Sequence, residues 1–179
     1  MDAARILMVG SREGDARALS IAGILLSERM VKPTKICIVS SCGGHLTEIR
    51  ILKPVYQTYE HFYVINEPIS LPEDMMGKTY FIRHSERDWL FFVNLWEAWR
   101  ILAIEKPSII LSAGAGPAVP FALVGKIYRI RNVFIESFAR VHSPSLTGRI
   151  MYVLADRFFY QWRSLASSYP RGICGGPLI

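Results

Sequence analysis

The chain has 179 residues, which is the size of one ordinary domain. Hydrophobic residues make up 51% of it and charged residues only 20%, a composition that excludes intrinsic disorder. The 21 lysine and arginine residues against 15 aspartate and glutamate residues give a net charge of +6. Such a protein suits an anionic membrane surface or a phosphate-bearing ligand. Nucleic acid is not predicted, because the sequence has no block of basic residues.

The cysteines and the apolar stretches indicate the compartment. Three cysteines without metal-type spacing favour reduced thiols in a cytosolic protein, and we predict no metal or cofactor. The longest uncharged stretch, 108–125, contains two glycines and two prolines, so strand, turn and helix fit it better than a membrane span. Acidic residues precede the first apolar run, so a signal peptide is not expected.

From residue 35 onward, short apolar runs alternate with segments of helical periodicity. The predicted strands are 36–40, 62–65, 79–82, 108–111, 133–135 and 158–161. The predicted helices are 46–56, 89–104, 117–128 and 146–154. This alternation predicts an α/β, Rossmann-like domain over 35–179, a parallel sheet with helices on both faces. The preceding 1–34 are an N-terminal extension that is either a packed βα unit or an amphipathic helix on a membrane.

The loop after the first predicted strand is the first candidate site. It carries Ser41, Gly43 and Gly44, and a helix then begins near His45. Glycines let backbone approach a ligand closely, and a helix N-terminus offers free N–H groups to an anion. In open α/β sheets, ligands bind at the carboxyl ends of the strands, where His45 would lie. The alternative is a tight turn with an incidental histidine.

A second glycine loop, with Gly114 and Gly116, follows the predicted strand 108–111. Val119 stands where a dinucleotide fingerprint needs its third glycine, so NAD binding is disfavoured. Pro117 suits the first position of a helix. The sequence also lacks a P-loop motif.

Polar residues follow the later strands at the same predicted edge. Glu136 comes directly after the strand 133–135, followed by Ser137 and Arg140, and Gln161 ends the last strand. A carboxylate there can orient a sugar hydroxyl or act as a base, and an arginine can pair with phosphate. The alternative for Glu136 and Arg140 is a surface ion pair at i, i+4.

The predicted helix 89–104 is apolar almost all round. One face carries large aromatic residues: Trp89, Phe92, Trp96 and Trp99. Tryptophan favours a membrane or protein interface, and Lys126 and Arg129 would add a basic rim for anionic headgroups. The alternative is that this face is buried in the core of the domain.

The order of the motifs resembles a known family. The motifs are S-x-x-G-G-H-L-T-E at 40–48, S-A-G-A-G-P-A-V-P at 112–120, I-E-S-x-x-R at 135–140, P-S-L-T-G-R at 144–149, A-D-R-F-F-Y-Q-W at 155–162 and G-G-P-L at 175–178. They are similar to those of the acceptor-side, PssD-like subunits of two-chain GT-B glycosyltransferases. The membrane-anchoring subunit of the dolichol-linked UDP-GlcNAc transferase and the N-terminal half of MurG are related to this family.

The resemblance implies the N-terminal half of a GT-B enzyme at the cytoplasmic face of the membrane. A separate donor-binding subunit would supply most of the UDP-sugar site, and the acceptor would be a sugar linked to polyprenyl diphosphate. The PssD-like character implies a glucuronosyltransferase of exopolysaccharide assembly.

His45 and Glu136 are the candidate catalytic bases in this scheme. Substrate-binding candidates are Ser41, Gly43, Gly44, Gly114, Gly116, Ser137, Arg140 and Gln161. The alternative function is a non-catalytic membrane scaffold that recruits and activates the donor-binding subunit.

Overall fold

The structure is a computed structural model that describes residues 35–66, 72–83 and 89–178. The predictions for 1–34, a packed βα unit or a membrane-surface helix, lie outside these residues.

The elements follow the predicted series closely. The strands are β1 (Lys35–Ser40), β2 (Glu60–Asn66), β3 (Thr79–Ile82), β4 (Ile109–Ser112), β5 (Arg131–Ile135), β6 (Arg157–Tyr160) and β7 (Ile173–Cys174). The helices are α1 (Gly44–Ile51), α2 (Lys53–Tyr56), α3 (Leu90–Glu105), α4 (Ala118–Ile127) and α5 (Leu146–Leu154). Short 3-10 turns lie at Glu73–Met75 and Arg163–Leu165.

Two elements differ from the prediction. The helix predicted over 46–56 begins earlier and is divided at Leu52, because Pro54 suits the first turn of a new helix and cannot continue an old one. The strand β7 was not predicted, since two residues are too short to show a periodicity.

The sheet is parallel throughout, in the order β3-β2-β1-β4-β5-β6-β7. After β3 the chain crosses back over β1 and continues on its other side with β4. Neighbouring strands whose connections leave in opposite directions open a crevice at their carboxyl ends, where open α/β sheets bind ligands. In this sheet, that crevice lies between β1 and β4.

Helices cover both faces of the sheet, which confirms the predicted Rossmann-like architecture. On one face, Ile38 of β1 and Leu111 of β4 share a cluster with Ile49 of α1. On the other face, Val39 packs in a cluster that includes Leu102 of α3 and residues of α4. The strands are apolar on both sides because both sides are buried.

Candidate active site at the crevice between β1 and β4

The turn from β1 into α1 is fixed by both neighbouring strands. The backbone N–H of Cys42 donates to Asn66 Oδ1 at 2.7 Å, and the Cys42 thiol donates to the Asn66 carbonyl at 2.8 Å. On the other side, the Ser41 N–H donates to the Gly114 carbonyl at 3.4 Å. Gly43 has φ 90°, a left-handed conformation that favours glycine. The turn that leads to His45 is therefore held in one position.

The His45 ring brings the two predicted glycine loops together. A Cβ atom at Gly114 would lie 3.2 Å from Cε1 of His45, and Gly114 has φ 105°, so glycine is required there for two reasons. Nδ1 of His45 is buried and has no hydrogen-bond partner among the described residues. The imidazole thus sits between the ends of β1 and β4, whereas the sequence predicted only that it lies at the carboxyl end of its own strand.

Burial is the main influence on the ionisation of His45. It lowers the pKa of the imidazole below its ordinary value of 6.5. A contact with the Ala113 backbone and the negative charge of Glu136 oppose this shift, whereas the positive charge of Arg140 adds to it. His45 is therefore neutral at pH 7, the form that can accept a proton.

The surface around His45 is open and lined by glycine backbone. Gly43, Gly44 and Gly116 are exposed, and a Cβ atom at Gly43 or Gly44 would meet nothing within 4 Å. No side chain caps the N-terminus of α1 or of α4 within the described residues. The first N–H groups of α1 are consequently available to an anion, whereas at α4 the Ala118 N–H already donates to the Ala115 carbonyl at 3.2 Å. The exposed Arg140 acts electrostatically on the same imidazole.

Glu136, by contrast, is an internal group with 1% of its surface exposed. Oε1 accepts hydrogen bonds from Ser137 N at 3.1 Å and Ser145 Oγ at 2.8 Å. Oε2 accepts from Ser145 N at 3.2 Å and from the Tyr169 hydroxyl. Both oxygens are thus occupied inside the protein, which argues against the predicted contact with substrate. The alternative ion pair with Arg140 is not formed either.

Three of the predicted substrate-binding side chains are also internal. Gln161 donates to the Glu136 carbonyl at 3.1 Å and accepts from Leu178 N at 2.9 Å, so it fastens the segment after β7 to β5. The Ser137 hydroxyl donates to Oε1 of Glu48 at 3.1 Å. Ser41 is buried too, and its backbone rather than its side chain joins the strands. The open surface accordingly consists of His45, Arg140 and the glycine backbone.

Glu48 and Asn66 organise the site, and the sequence reasoning missed both. Glu48 lies one turn after His45 on α1 and is 5% exposed. Its spacing of three residues from His45, which puts both on one helix face, is the signal that could have found it. Asn66, which ends β2, has no comparable signal, because its partner is the turn at Cys42, 24 residues earlier.

The predicted aromatic face of α3 is on the surface. Between 45 and 70% of each of its four side chains is exposed: Trp89, Phe92, Trp96 and Trp99. We call these four residues the tryptophan face, and the alternative that they form core is wrong. The Trp99 ring lies 5.0 Å from the ring of Tyr128 after α4, so the apolar surface extends beyond α3.

The two residues of the predicted basic rim differ in their surroundings. Lys126 forms an ion pair with Asp156 at 2.5 Å, whereas the Arg129 side chain is exposed. Within the part of the chain that the structure describes, no helix has the length and hydropathy to cross a bilayer. The same residues include no cluster of three or more histidine, cysteine or acidic side chains suited to a metal ion.

The fold and the crevice define a Rossmann-like domain of the GT-B type. The domain is similar to Acinetobacter baumannii MurG (TM-score 0.60, 15% identity over 72% of this chain and 41% of that one). It is also similar to a UDP-N-acetylglucosamine 2-epimerase from Rickettsia bellii (TM-score 0.64, 13% identity over 82% of this chain and 45% of that one). The chain thus spans less than half of these solved chains, and at such identities the likeness shows the fold alone.

The family is shown by sequence. A family model described as "Oligosaccharide biosynthesis protein Alg14 like" matches residues 86–178, just over half of the chain. The chain therefore belongs to the Alg14-like family. It is 28% identical to the human UDP-N-acetylglucosamine transferase subunit ALG14 over 80% of this chain and 82% of the relative. A Schizosaccharomyces pombe subunit of the same name is 41% identical over 36% of this chain and 33% of the relative.

Proposed function

We propose that this chain is the acceptor-binding, base-supplying subunit of an inverting UDP-sugar glycosyltransferase. The observation that carries the proposal is the neutral His45 held between two open glycine loops in the crevice of the sheet. Membership of the Alg14-like family and the relatives' names as transferase subunits support it. One Rossmann-like domain offers half of a cleft, so a separate donor-binding subunit would supply the other half.

His45 would act as the general base. The neutral imidazole, placed between the Ala113 backbone and the Gly114 loop, would accept the proton of the acceptor hydroxyl on a ring nitrogen. The acceptor oxygen forms its bond to the anomeric carbon while the bond from that carbon to the UDP oxygen breaks, and UDP leaves with the electron pair. General-base help of this kind is typically worth about 10²–10⁴-fold in rate. The buried, fully hydrogen-bonded Glu136 supports His45 as the base.

The diphosphate groups of the substrates would bind backbone N–H groups and the side chain of Arg140. The open N-terminus of α1 presents N–H groups beside Gly43 and Gly44, and the Gly116 backbone is exposed in the second loop. Arg140 adds a positive charge on the same side of His45. Fixed donors and charges of this type stabilise developing negative charge in a transition state.

The tryptophan face would rest on the cytoplasmic face of an anionic membrane. Tryptophan is enriched at membrane interfaces, and the exposed Arg129 near Tyr128 would meet lipid phosphates. Lys126 would contribute less, since Asp156 already neutralises it. A membrane-bound subunit could reach the polyprenyl-diphosphate-linked acceptor without extracting it from the bilayer.

The donor sugar has two candidates. The relatives' printed names favour UDP-N-acetylglucosamine, whereas the PssD-like resemblance favours UDP-glucuronic acid in exopolysaccharide assembly and has no further support from the relatives. UDP-N-acetylglucosamine is therefore the first donor to test.

The test is co-expression with a candidate donor-binding GT-B subunit, followed by a transfer assay on membranes with both UDP-sugars and a polyprenyl-diphosphate-linked sugar. We expect transfer from one donor when both chains are present, and none from either chain alone. Transfer by this chain alone would contradict the two-chain account. Full transfer by a pair that carries His45→Gln would instead favour the non-catalytic scaffold.

A further inference from the structure

Glu48 is a buried carboxylate that the proposed mechanism does not use. Oε1 accepts two hydrogen bonds, from Ser137 Oγ at 3.1 Å and from Phe138 N at 3.0 Å. Oε2 is buried and has no hydrogen-bond partner among the described residues. A buried carboxylate is costly unless its bonds compensate, so a half-satisfied one calls for an explanation.

The two hydrogen bonds of Glu48 connect the helix that carries His45 with the turn that carries Arg140. Ser137 and Phe138 begin the turn after β5, and Arg140 N closes that turn on the Ser137 carbonyl at 3.0 Å. On its own helix, Glu48 lies one turn after His45. One carboxylate oxygen therefore connects the helix of the candidate base with the turn that presents Arg140.

The other hydrogen bonds of this turn do not reach α1. The Phe138 carbonyl accepts from Trp162 Nε1 at 2.7 Å, a bond that ties the turn to the segment after β6. The Ser137 hydroxyl also accepts from Ala139 N at 3.3 Å, within the turn itself. Among the described residues, only the hydrogen bonds of Glu48 join the turn to α1.

We propose that Glu48 is a positioning residue for glycosyl transfer, which sets the placement of Arg140 relative to His45 without touching the substrate. This inference rests on the proposed function. A misplacement of about 1 Å can lower a rate on the order of 10²-fold, so a contact of this kind affects kcat strongly. Both bonds use one acceptor oxygen, which a glutamine amide also provides.

The test compares Glu48→Gln with Glu48→Ala in the full chain, co-expressed with the donor-binding partner. Glu48→Gln should keep kcat within about threefold of the wild type, because its amide oxygen can accept both bonds. Glu48→Ala should lower kcat by about 10–100-fold with the KM for the UDP-sugar unchanged. Normal co-purification with the partner and an unchanged circular dichroism spectrum control for folding.

Ser137→Ala alone gives a second route that does not depend on the stability of Glu48→Ala. It removes one of the two bonds to Glu48 and should also lower kcat with the KM for the UDP-sugar unchanged, whereas wild-type kcat in Ser137→Ala would contradict the positioning role. If Ser137 acts through Glu48, adding Ser137→Ala to Glu48→Ala should cause no further loss, whereas independent effects would multiply. Any of three results would overturn the positioning role. They are wild-type kcat in folded Glu48→Ala, a Glu48→Gln variant as inactive as Glu48→Ala, and multiplicative effects of Glu48→Ala and Ser137→Ala on kcat. Failure of the wild-type pair to transfer any sugar would refute the proposed function instead.

Discussion

His45 and Glu136 follow β1 and β5 at the same edge of the sheet, where their surroundings differ. Glu136 is enclosed by Ser145 and Tyr169, whose hydrogen bonds occupy both of its oxygens. His45 packs one side of its ring on Gly114. Burial, rather than a hydrogen bond, is the main influence on the pKa of its imidazole. Position at a strand end is thus not enough to make a side chain available to a substrate, because its hydrogen bonds inside the protein can occupy it fully.

Gly148 shows how tightly Glu136 is enclosed. A Cβ atom there would lie 1.9 Å from Oε2 of Glu136 and 2.6 Å from the Tyr169 hydroxyl. Gly148→Ala should lower the free energy of unfolding by about 1–3 kcal/mol, because the methyl group must displace a buried carboxylate from its donors. Urea denaturation measures this change.

Gly44→Ala is the matched control. A Cβ atom at Gly44 meets nothing within 4 Å, and alanine is favoured over glycine in helices by about 1 kcal/mol. Its stability should therefore equal or exceed that of the wild type. A Gly148→Ala protein as stable as Gly44→Ala would contradict the tight enclosure of Glu136.

At the scale of elements, α3 is apolar both on the side that packs on the sheet and on the side that faces outward. Its inner side packs on the sheet through Ala98, Ile101 and Leu102, while the tryptophan face points away from the core. A helix that is apolar on two sides needs an apolar environment for its outer side in addition to the core on its inner side. The ring contact between Trp99 and Tyr128 extends this surface to the end of α4.

The double variant Phe92→Gln/Trp96→Gln should bind anionic phospholipid vesicles at least about tenfold more weakly. Burial of such a side chain contributes about 1.5–3 kcal/mol, and both residues are mostly exposed, so folding should be unaffected. Vesicle co-sedimentation measures binding, and thermal unfolding monitors the fold.

Val153→Gln on α5 is the control for this variant, because Val153 is apolar, 76% exposed and outside the tryptophan face. It should bind vesicles like the wild type. Vesicle binding by the folded double variant equal to that of the wild type would contradict lipid contact by the tryptophan face. Loss of cooperative unfolding would instead contradict the expectation that these side chains lie outside the core.

The elements were largely predictable from sequence because each carries its own local signal. The strand Thr79–Ile82 and the helix Leu146–Leu154 match their predicted bounds. The site was only partly predictable. Glycine and histidine next to a strand end are a local pattern, so the two loops were found, and the structure joins them through Gly114.

The internal roles of Gln161 and Glu48 could not be predicted in the same way. Gln161 bonds to Glu136 and to Leu178, which are 25 and 17 residues away in sequence. Glu48 bonds to a turn about 90 residues later. Polar residues that fasten distant segments look like binding residues in a sequence, because only the folded chain shows which partner each has.

At the scale of the molecule, the open crevice and the exposed apolar surface lie on different parts of the domain. The crevice lies at the carboxyl ends of β1 and β4, and the tryptophan face lies on the helical layer of α3 and α4. A membrane on that layer would leave the crevice free for a second subunit. A lipid-linked acceptor could then approach along the membrane while the partner brings the sugar nucleotide.

The pH dependence of kcat/KM, measured for the reconstituted pair with and without His45→Gln, tests this account most directly. The base must be neutral to accept a proton, and burial lowers the pKa of His45 below 6.5. Wild-type kcat/KM should therefore fall only as the pH drops below that value and stay level above it. The variant should lose about 10²–10⁴-fold in rate and lack this acidic limb. A variant with the rate and acidic limb of the wild type would contradict the role of His45.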